Sequence, residues 1–493
     1  MMAANGKGKR NGLKVRRLPV TFSSDIRRVI TRFFDPGGEE RIRSVIDRVD
    51  GLGDQRVDRL LDRVLQNFGK RHGGIVATLE ENYRTAMTIT GLPEVASPER
   101  RLLIGSYLTA EYSIESAALF NPSIVPHHNQ RNIPAGAVRF IISLRATGEG
   151  HVSSIVFRTG VLTADHEIRI DPSKRLARPI RIVPDKQYDK PLFHRKLKDI
   201  GVDEGAMGLV LDRLADSFTS AELEHAITET RQAASEPLPL EEWLQDIRWL
   251  ARSNYQLELP READASEVVI FPQTSSDSHG IEDLRMVRFV DDDGSVTYYG
   301  TCTAYDGVRL LPQLIETRDF LRIGVHTVNG ACARNKGMAL FPRRIGGHYV
   351  MCSRIDGENL YLMYSDIVHF WESAELLQAP RSPWEFVQIG NCGSPLETSE
   401  GWLLLTHGVG PMRTYCIGAM LLDLDDPRKV IGVLDEPLIT PNERERDGYV
   451  PNVAYSCGAM IHNGEVYLPF ATSDRVTRFA MVSLDVLLNR LIP

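Results

Sequence analysis

From Gly280 to the C-terminus the chain repeats a strand–turn–strand rhythm, which restricts the fold more than any other feature of the 493 residues. MVRFVDDDGSVTYYGTCTAYDG is one unit, and MALFPRRIGGHYVMCSRIDGENLYLMYS is the next. GSPLETSEGWLLLTHGV with YCIGAMLLDLDD forms a third, and GAMIHNGEVYLPFATSD with VTRFAMVSL a fourth. The connectors DDDG, IGG, SEG and NG are hairpin turns. A spacing of roughly 50–60 residues predicts four-stranded propeller blades. The strand-like stretches VRFIISLRAT and HVSSIVFRTGVL, within 136–170, supply a fifth. The expected fold is an all-β core, a five-bladed β-propeller over 116–493.

Two stretches break the rhythm. Residues 1–115 carry apolar residues at three- and four-residue spacing in DIRRVITRFF, EERIRSVIDRV and QRVDRLLDRVLQNF, which predicts an N-terminal helical extension. SPERRLLIGSYLTAEYSIESAALF reads as a further helix, with Ser97 as N-cap and Pro98 in the first turn. A second helical block, an insertion at about 172–258, holds GAMGLVLDRLADSF, SAELEHAITETRQAA and LEEWLQDIRWLARSNY. Each amphipathic helix has an apolar face to cover, so at least one block is expected to make homo-oligomeric contacts and to narrow one side of the funnel.

Charge and cysteine content exclude several functions. A balance of 58 basic against 65 acidic residues gives a net −7, which argues against general nucleic-acid binding. No apolar run reaches the ~20 residues of a membrane span. The opening MMAANGKGKRNGLKVRR is basic and has no apolar signal-peptide core, so a cytoplasmic location is expected. The six cysteines form no CxxC pair and sit in apolar strand contexts, which predicts buried free thiols and no metal site.

A propeller gathers strand ends around one funnel, so candidate site residues are polar groups where a strand needs none. These are Asn121 in FNPSIV, Arg145 in SLRAT, Asp283 in GIEDLRM, Asp306 in AYDG, Lys336 in RNKGMALFP, Arg354 in CSRID, His407 in LLLTHGVG and Asp474 in FATSDR. Singly, a His before Gly or an Asp before Gly is most often a turn residue. Their recurrence near blade boundaries is the informative feature.

FNPSIV, GIEDLRM, TAYDG, KGMALFP, WLLLTHGV, GAMLLDLDDPRKVIG and DGYVPNVAYSCGAM together resemble the mannoside phosphorylases of glycoside hydrolase family 130, which are five-bladed propellers. The chain departs from that pattern at Leu284, where Pro is usual, and at Gln388, where Lys is frequent. The resemblance implies inverting phosphorolysis of a β-mannoside oligosaccharide to α-mannose 1-phosphate and a shortened acceptor, with inorganic phosphate as co-substrate and no cofactor. It implies Asp283 as the acid, acting through a sugar hydroxyl. Lys336, with Arg334 two residues away as an alternative, would bind phosphate together with Arg354 and His407. Asn121, Arg145, Asp306 and Asp474 would contact sugar. Phosphate is already an anionic nucleophile, so such an enzyme needs one acid and a cationic pocket, where an inverting hydrolase needs an acid and a base. The alternatives are an inverting β-mannosidase with Glu282 or another carboxylate as base, and a catalytically silent glycan- or protein-binding propeller.

Overall fold

The computed structural model describes residues 13–492 except 175–176, 180, 185–186, 234–239 and 261–262. The basic opening segment 1–12 and Ala234 of the second inserted helical candidate lie outside the described residues. The core is dominated by antiparallel strands. Ala118–Pro126, Val138–Thr147, Ser153–Leu162 and Ile168–Ile170 form a first sheet. Gly280–Val290, Val296–Tyr305, Leu310–Thr317 and Arg322–Thr327 form a second, whose ladder meets that of the first at the pair Gly280↔Ser153. Ala339–Leu340, Tyr349–Ser353, Leu360–Ser365 and Ala374–Gln378 make a third. Gln388–Asn391, Gly401–Val409, Tyr415–Leu422 and Val430–Val433 make a fourth. Ala454–Tyr455, Glu465–Thr472 and Val476–Ser483 make a fifth, and its outer strand is Arg16–Phe22 from the other end of the chain.

Alternation along each strand explains how these sheets stack. Successive side chains point to opposite faces, so Gly401–Val409 sends Leu403 and Leu405 into one cluster and Trp402 and Leu404 into another. The Leu403 face packs on Val466, Leu468 and Phe470 of the fifth sheet. The Trp402 face packs on Phe341, Val350 and Leu362 of the third. The same device packs Phe289 and Leu314 of the second sheet on Met351 and Met363 of the third. It packs Ile141 and Phe157 of the first on Ile281 and Met286 of the second, and Phe140 and Ile142 of the first on Tyr467 and Phe479 of the fifth. Each sheet therefore contacts the next, and the fifth contacts the first. Strands buried on both faces carry near-continuous apolar runs, as in WLLL and GAMLL.

The helical expectations need correction in three places. Val29–Phe33, inside the predicted helix DIRRVITRFF, is a strand paired with Thr109–Ser113. Its consecutive β-branched Val29, Ile30 and Thr31 lose side-chain freedom in a helix and fit a pleated surface. The helix capped by Ser97, whose Oγ accepts from Arg100 N, ends at Tyr107 and does not run on through TAEYS. Inserted helices occupy Lys190–Asp199, Glu204–Leu211, Ser220–Ala233 and Leu240–Arg252, so the block is narrower than expected. Tyr255–Glu258 is a strand that lies between Arg181–Pro184 and Arg322–Thr327, extending the second sheet. The N-terminal helices Glu39–Asp50, Asp54–Phe68, Ile75–Thr90 and Pro98–Tyr107 bury Ile42, Tyr83 and Leu103 in a core of their own. A buried Arg28–Glu115–Arg158 triad ties the N-terminal segment to the first sheet, with Glu115 2.8 Å from Arg28 and 2.6 Å from Arg158. All six cysteines are free, and five of them are buried. Among the described residues no helix is long and apolar enough to cross a membrane.

Candidate active site

Two matching bulges build the centre of the site. In Ala118–Pro126 the register shifts by one residue between Phe120 and Ser123, and in Gly280–Val290 it shifts between Glu282 and Arg285. A bulge re-aims a side chain out of the alternating pattern. Asn121 (φ 48°) and Asp283 (φ 58°) occupy the bulges in the left-handed region, which Asn and Asp tolerate better than other side chains. Both are buried, and Asn121 Nδ2 donates to Asp283 Oδ1 at 2.7 Å.

Arg145 spans the acidic pair. Its guanidinium lies 2.7 Å from Glu282 Oε1 and 3.3 Å from Asp283 Oδ1, and its Nε donates to Ser153 Oγ at 2.9 Å. It also stacks over the Phe120 ring, 5.0 Å from the centroid. Lys336 Nζ approaches Glu282 Oε2 at 3.9 Å, whereas Arg334 is exposed, so Lys336 is the cation facing this centre. Burial pushes the Asp283 carboxyl up, but Arg145, Lys336 and Arg285 outweigh it and hold the group at about 2. Asp283 is therefore ionised. Asp474, at the turn between the last two strands (φ 49°), behaves oppositely. Burial raises it to about 6, reinforced by the charge of Asp283 and opposed by Arg145. Neighbouring carboxyls with diverging pKa values are a feature of acid–base sites.

The raised Asp474 has a measurable consequence. The native state holds its proton more tightly than the unfolded chain, so stability is lost as pH rises from about 4 to about 6. Asp474→Asn is expected to be more stable than the parent at pH 7–8, by about 1–3 kcal/mol, with the gap closing below pH 4. Chemical denaturation across that range checks this, and a gap independent of pH would contradict it.

Arg354 and His407 form the second half of the site. Both are buried, and Arg354 Nη1 donates to His407 Nε2 at 3.1 Å. His407 Nδ1 donates to the Asn391 carbonyl at 3.0 Å, which leaves Nε2 as the acceptor. Burial, then the charges of Arg354 and Arg285, hold His407 well below the usual imidazole range. The expectation of three converging cations is corrected on this point: His407 is neutral, and the cations are Arg354 and Lys336. Among the described residues no carboxylate lies within ion-pair distance of Arg354, and its Nε has no hydrogen-bond partner. Gly390, opposite His407 in the sheet, makes room for the ring, since a Cβ there would lie 2.4 Å from His407 Cε1. Gly390→Ala is expected to displace the imidazole at an overpacking cost of about 1–3 kcal/mol. A melting curve and the phosphate dependence of turnover check it.

Sequence reasoning missed three members of the site. Arg285, fully buried, donates from Nη1 to the Asp283 carbonyl at 3.0 Å and from Nη2 to Tyr455 Oη at 2.5 Å. Tyr455 packs edge-on to His407, with ring centroids 4.9 Å apart. Asn391 Nδ2 donates to the Gly337 carbonyl at 2.6 Å, linking the Lys336 loop to the fourth sheet. A cation inside the apolar run of GIEDLRMVRF was the available signal for Arg285. Asp306 differs from the other candidates: its Oδ1 accepts from Val308 N and Arg309 N, an Asx turn that occupies the carboxylate.

A family model described as beta-1,4-mannooligosaccharide phosphorylase, that of glycoside hydrolase family 130, matches residues 260–492. The chain is 31% identical over 223 residues to the 1,2-beta-oligomannan phosphorylase of Thermoanaerobacter sp. (strain X514), covering 44% of this chain and 72% of that protein. It is 30% identical over 211 residues to the beta-1,4-mannooligosaccharide phosphorylase of Ruminococcus albus, covering 40% of this chain and 62% of that protein. Among solved structures it is similar to the beta-1,2-mannobiose phosphorylase from Listeria innocua in complex with beta-1,2-mannobiose, at 19% identity and a TM-score of 0.45, covering 77% of this chain and 93% of that one.

Proposed function

The chain belongs to glycoside hydrolase family 130, and from that premise we propose that it is an inverting β-mannoside phosphorylase acting in the cytoplasm. The five sheets that pack in a closed cycle are read as the blades of a five-bladed propeller. The inner strands of the first and second blades carry Asn121 and Asp283 into the central funnel. Mannosyl transfer takes place from the acceptor oxygen to inorganic phosphate, with inversion to α-mannose 1-phosphate.

The observation that carries this reading is the buried guanidinium of Arg354, bonded to a neutral imidazole and lacking a carboxylate partner among the described residues. A buried cation without a counter-charge is costly, and a phosphate dianion supplies the charge and accepts the forked hydrogen bonds. Lys336 adds a second positive charge at the same centre. Asp283 acts as the acid, passing its proton through a sugar hydroxyl to the glycosidic oxygen. It starts ionised, so the bound phosphate has a second role. A phosphate dianion bound nearby adds negative charge that raises the Asp283 carboxyl and favours its protonated form. Asp474, protonated below about pH 6, donates to a sugar hydroxyl beside it. Arg145 and Asn121 orient Asp283 and border the sugar.

Hydrolysis would need a carboxylate free to activate water. Glu282 is instead paired with Arg145 at 2.7 Å and faces Lys336, so its oxygens are engaged rather than aimed at a water. Incubating the protein with β-1,2- and β-1,4-mannobiose, with and without phosphate, tests the proposal. Cleavage that depends on phosphate is expected with at least one linkage. Equal cleavage without phosphate would support the hydrolase, and no cleavage of any mannoside would support the silent propeller.

A further inference from the structure

Three groups with metal-binding chemistry meet between the second and third sheets. Glu316 lies on Leu310–Thr317, the third strand of its sheet. His326 lies on the adjacent Arg322–Thr327. His369 follows the third strand of the neighbouring sheet and comes from a different turn of the chain. One carboxylate oxygen and one nitrogen from each imidazole lie within 4.8 Å of one another. The two rings face each other with centroids 4.8 Å apart. We propose that Glu316, His326 and His369 bind a zinc ion that clamps the second sheet to the third.

Sheet register brings the first two ligands together. Glu316 pairs with Gly324 and Leu314 with His326, so Glu316 and His326 are diagonal neighbours on one face. Gly324 between them leaves the space the imidazole uses: a Cβ at that position would lie 2.7 Å from His326 Nε2. A larger residue there would turn the ring away from Glu316. His369 Nε2 is buried and has no hydrogen-bond partner, although its backbone carbonyl is bonded to Asn329 N. The Glu316 carboxylate and the His326 ring likewise make no hydrogen bond or ion pair among the described residues. Three polar groups are thus brought together without satisfying one another, an arrangement that folded proteins avoid unless something else pairs them.

Burial holds His326 at about 4 and His369 at about 2, and the Lys196 ammonium pushes both in the same direction. Both imidazoles are therefore neutral, with a lone pair to give. Burial raises Glu316, with the charge of Arg318 opposing it. A divalent cation would stabilise the ionised Glu316 carboxylate, against the repulsion of the nearby Lys196 ammonium. Two nitrogens and one carboxylate oxygen favour zinc over calcium or magnesium, which take oxygen sets. Tetrahedral zinc with bonds of about 2.0–2.1 Å holds ligand atoms about 3.3 Å apart. The side chains would draw in slightly, leaving the fourth position for water.

The full-length chain, dialysed against a chelator, is titrated with zinc chloride against a competing zinc-binding dye. One equivalent is expected to bind, and saturation is expected to raise the melting midpoint. Loss of a ligand should weaken binding at least 100-fold in His369→Ala and in Glu316→Gln. Glu316→Gln is nearly isosteric, so it carries the test if the histidine variant fails to fold. Cobalt in place of zinc should give the visible absorption of a four-coordinate nitrogen and oxygen site, which thiolate binding by a free cysteine would not reproduce. No stoichiometric binding, or binding unchanged in these variants, would overturn the proposal.

Discussion

Asp283→Asn is expected to fold normally and to lose about 10²–10⁴-fold in turnover, the usual contribution of general acid catalysis. Oδ1 of Asp283 accepts both Asn121 Nδ2 and Arg145 Nη1, and an asparagine can offer its own oxygen to the same two donors. Its amide in the other position cannot give up a proton with carboxylic strength. The local architecture is kept while the chemistry is removed. Two further readouts separate an acid from a structural residue. Asp474 should titrate lower in the variant, because the charge of Asp283 is one of the causes that raise it. In the parent enzyme, the pH limit above which turnover falls should move upward as phosphate becomes saturating, because the phosphate charge helps Asp283 keep its proton. Near-parental turnover in Asp283→Asn would remove this residue from the mechanism.

Arg354→Ala is expected to lower kcat/KM for phosphate by about 10–100-fold, with sugar binding largely kept. The guanidinium is buried on neutral His407 and, among the described residues, bonds no carboxylate, so its removal strands no counter-ion there. His407→Ala should act in the same direction by another route. Its imidazole fixes the Arg354 fork and is itself held by the Asn391 carbonyl, so its loss should loosen the fork without removing a charge. Initial rates at varied phosphate and fixed mannoside measure these effects. Equal losses in the sugar and phosphate parameters would argue against a dedicated phosphate pocket.

How much of this was legible in the sequence depended on the distance over which the cause acts. Hairpin units such as MVRFVDDDGSVTYYGTCTAYDG were readable because a turn and its flanking strands are contiguous. Arg16–Phe22 was not, because its partner strand, Val476–Ser483, lies at the opposite end of the chain and nothing local distinguishes it from the helices that follow. Val29–Phe33 has apolar spacing that fits a helix, and its β-branched run was the overlooked signal. In the site, Asn121 and Asp283 stood out as polar residues in apolar strands, whereas the bulges that aim them at each other are visible only in the sheet register. Arg285 was hidden because an arginine in a strand ordinarily reads as a solvent-facing residue, and here Tyr455 and the Asp283 carbonyl draw it inside. The charge states could not be read at all. The neutrality of His407 and the divergence of Asp283 and Asp474 arise from burial and from neighbours on other sheets. The inter-sheet cluster shows the same limit, since no CxxC or HxxH spacing announces Glu316, His326 and His369.

Product identity tests the central claim most directly. A β-mannobiose that the protein cleaves is incubated with it in phosphate buffer and followed by proton and phosphorus NMR. The account predicts α-mannose 1-phosphate and free acceptor sugar appearing in equal amounts, with phosphate consumed in step and no reaction when phosphate is left out. Free mannose, released at the same rate in the presence and absence of phosphate, would contradict it.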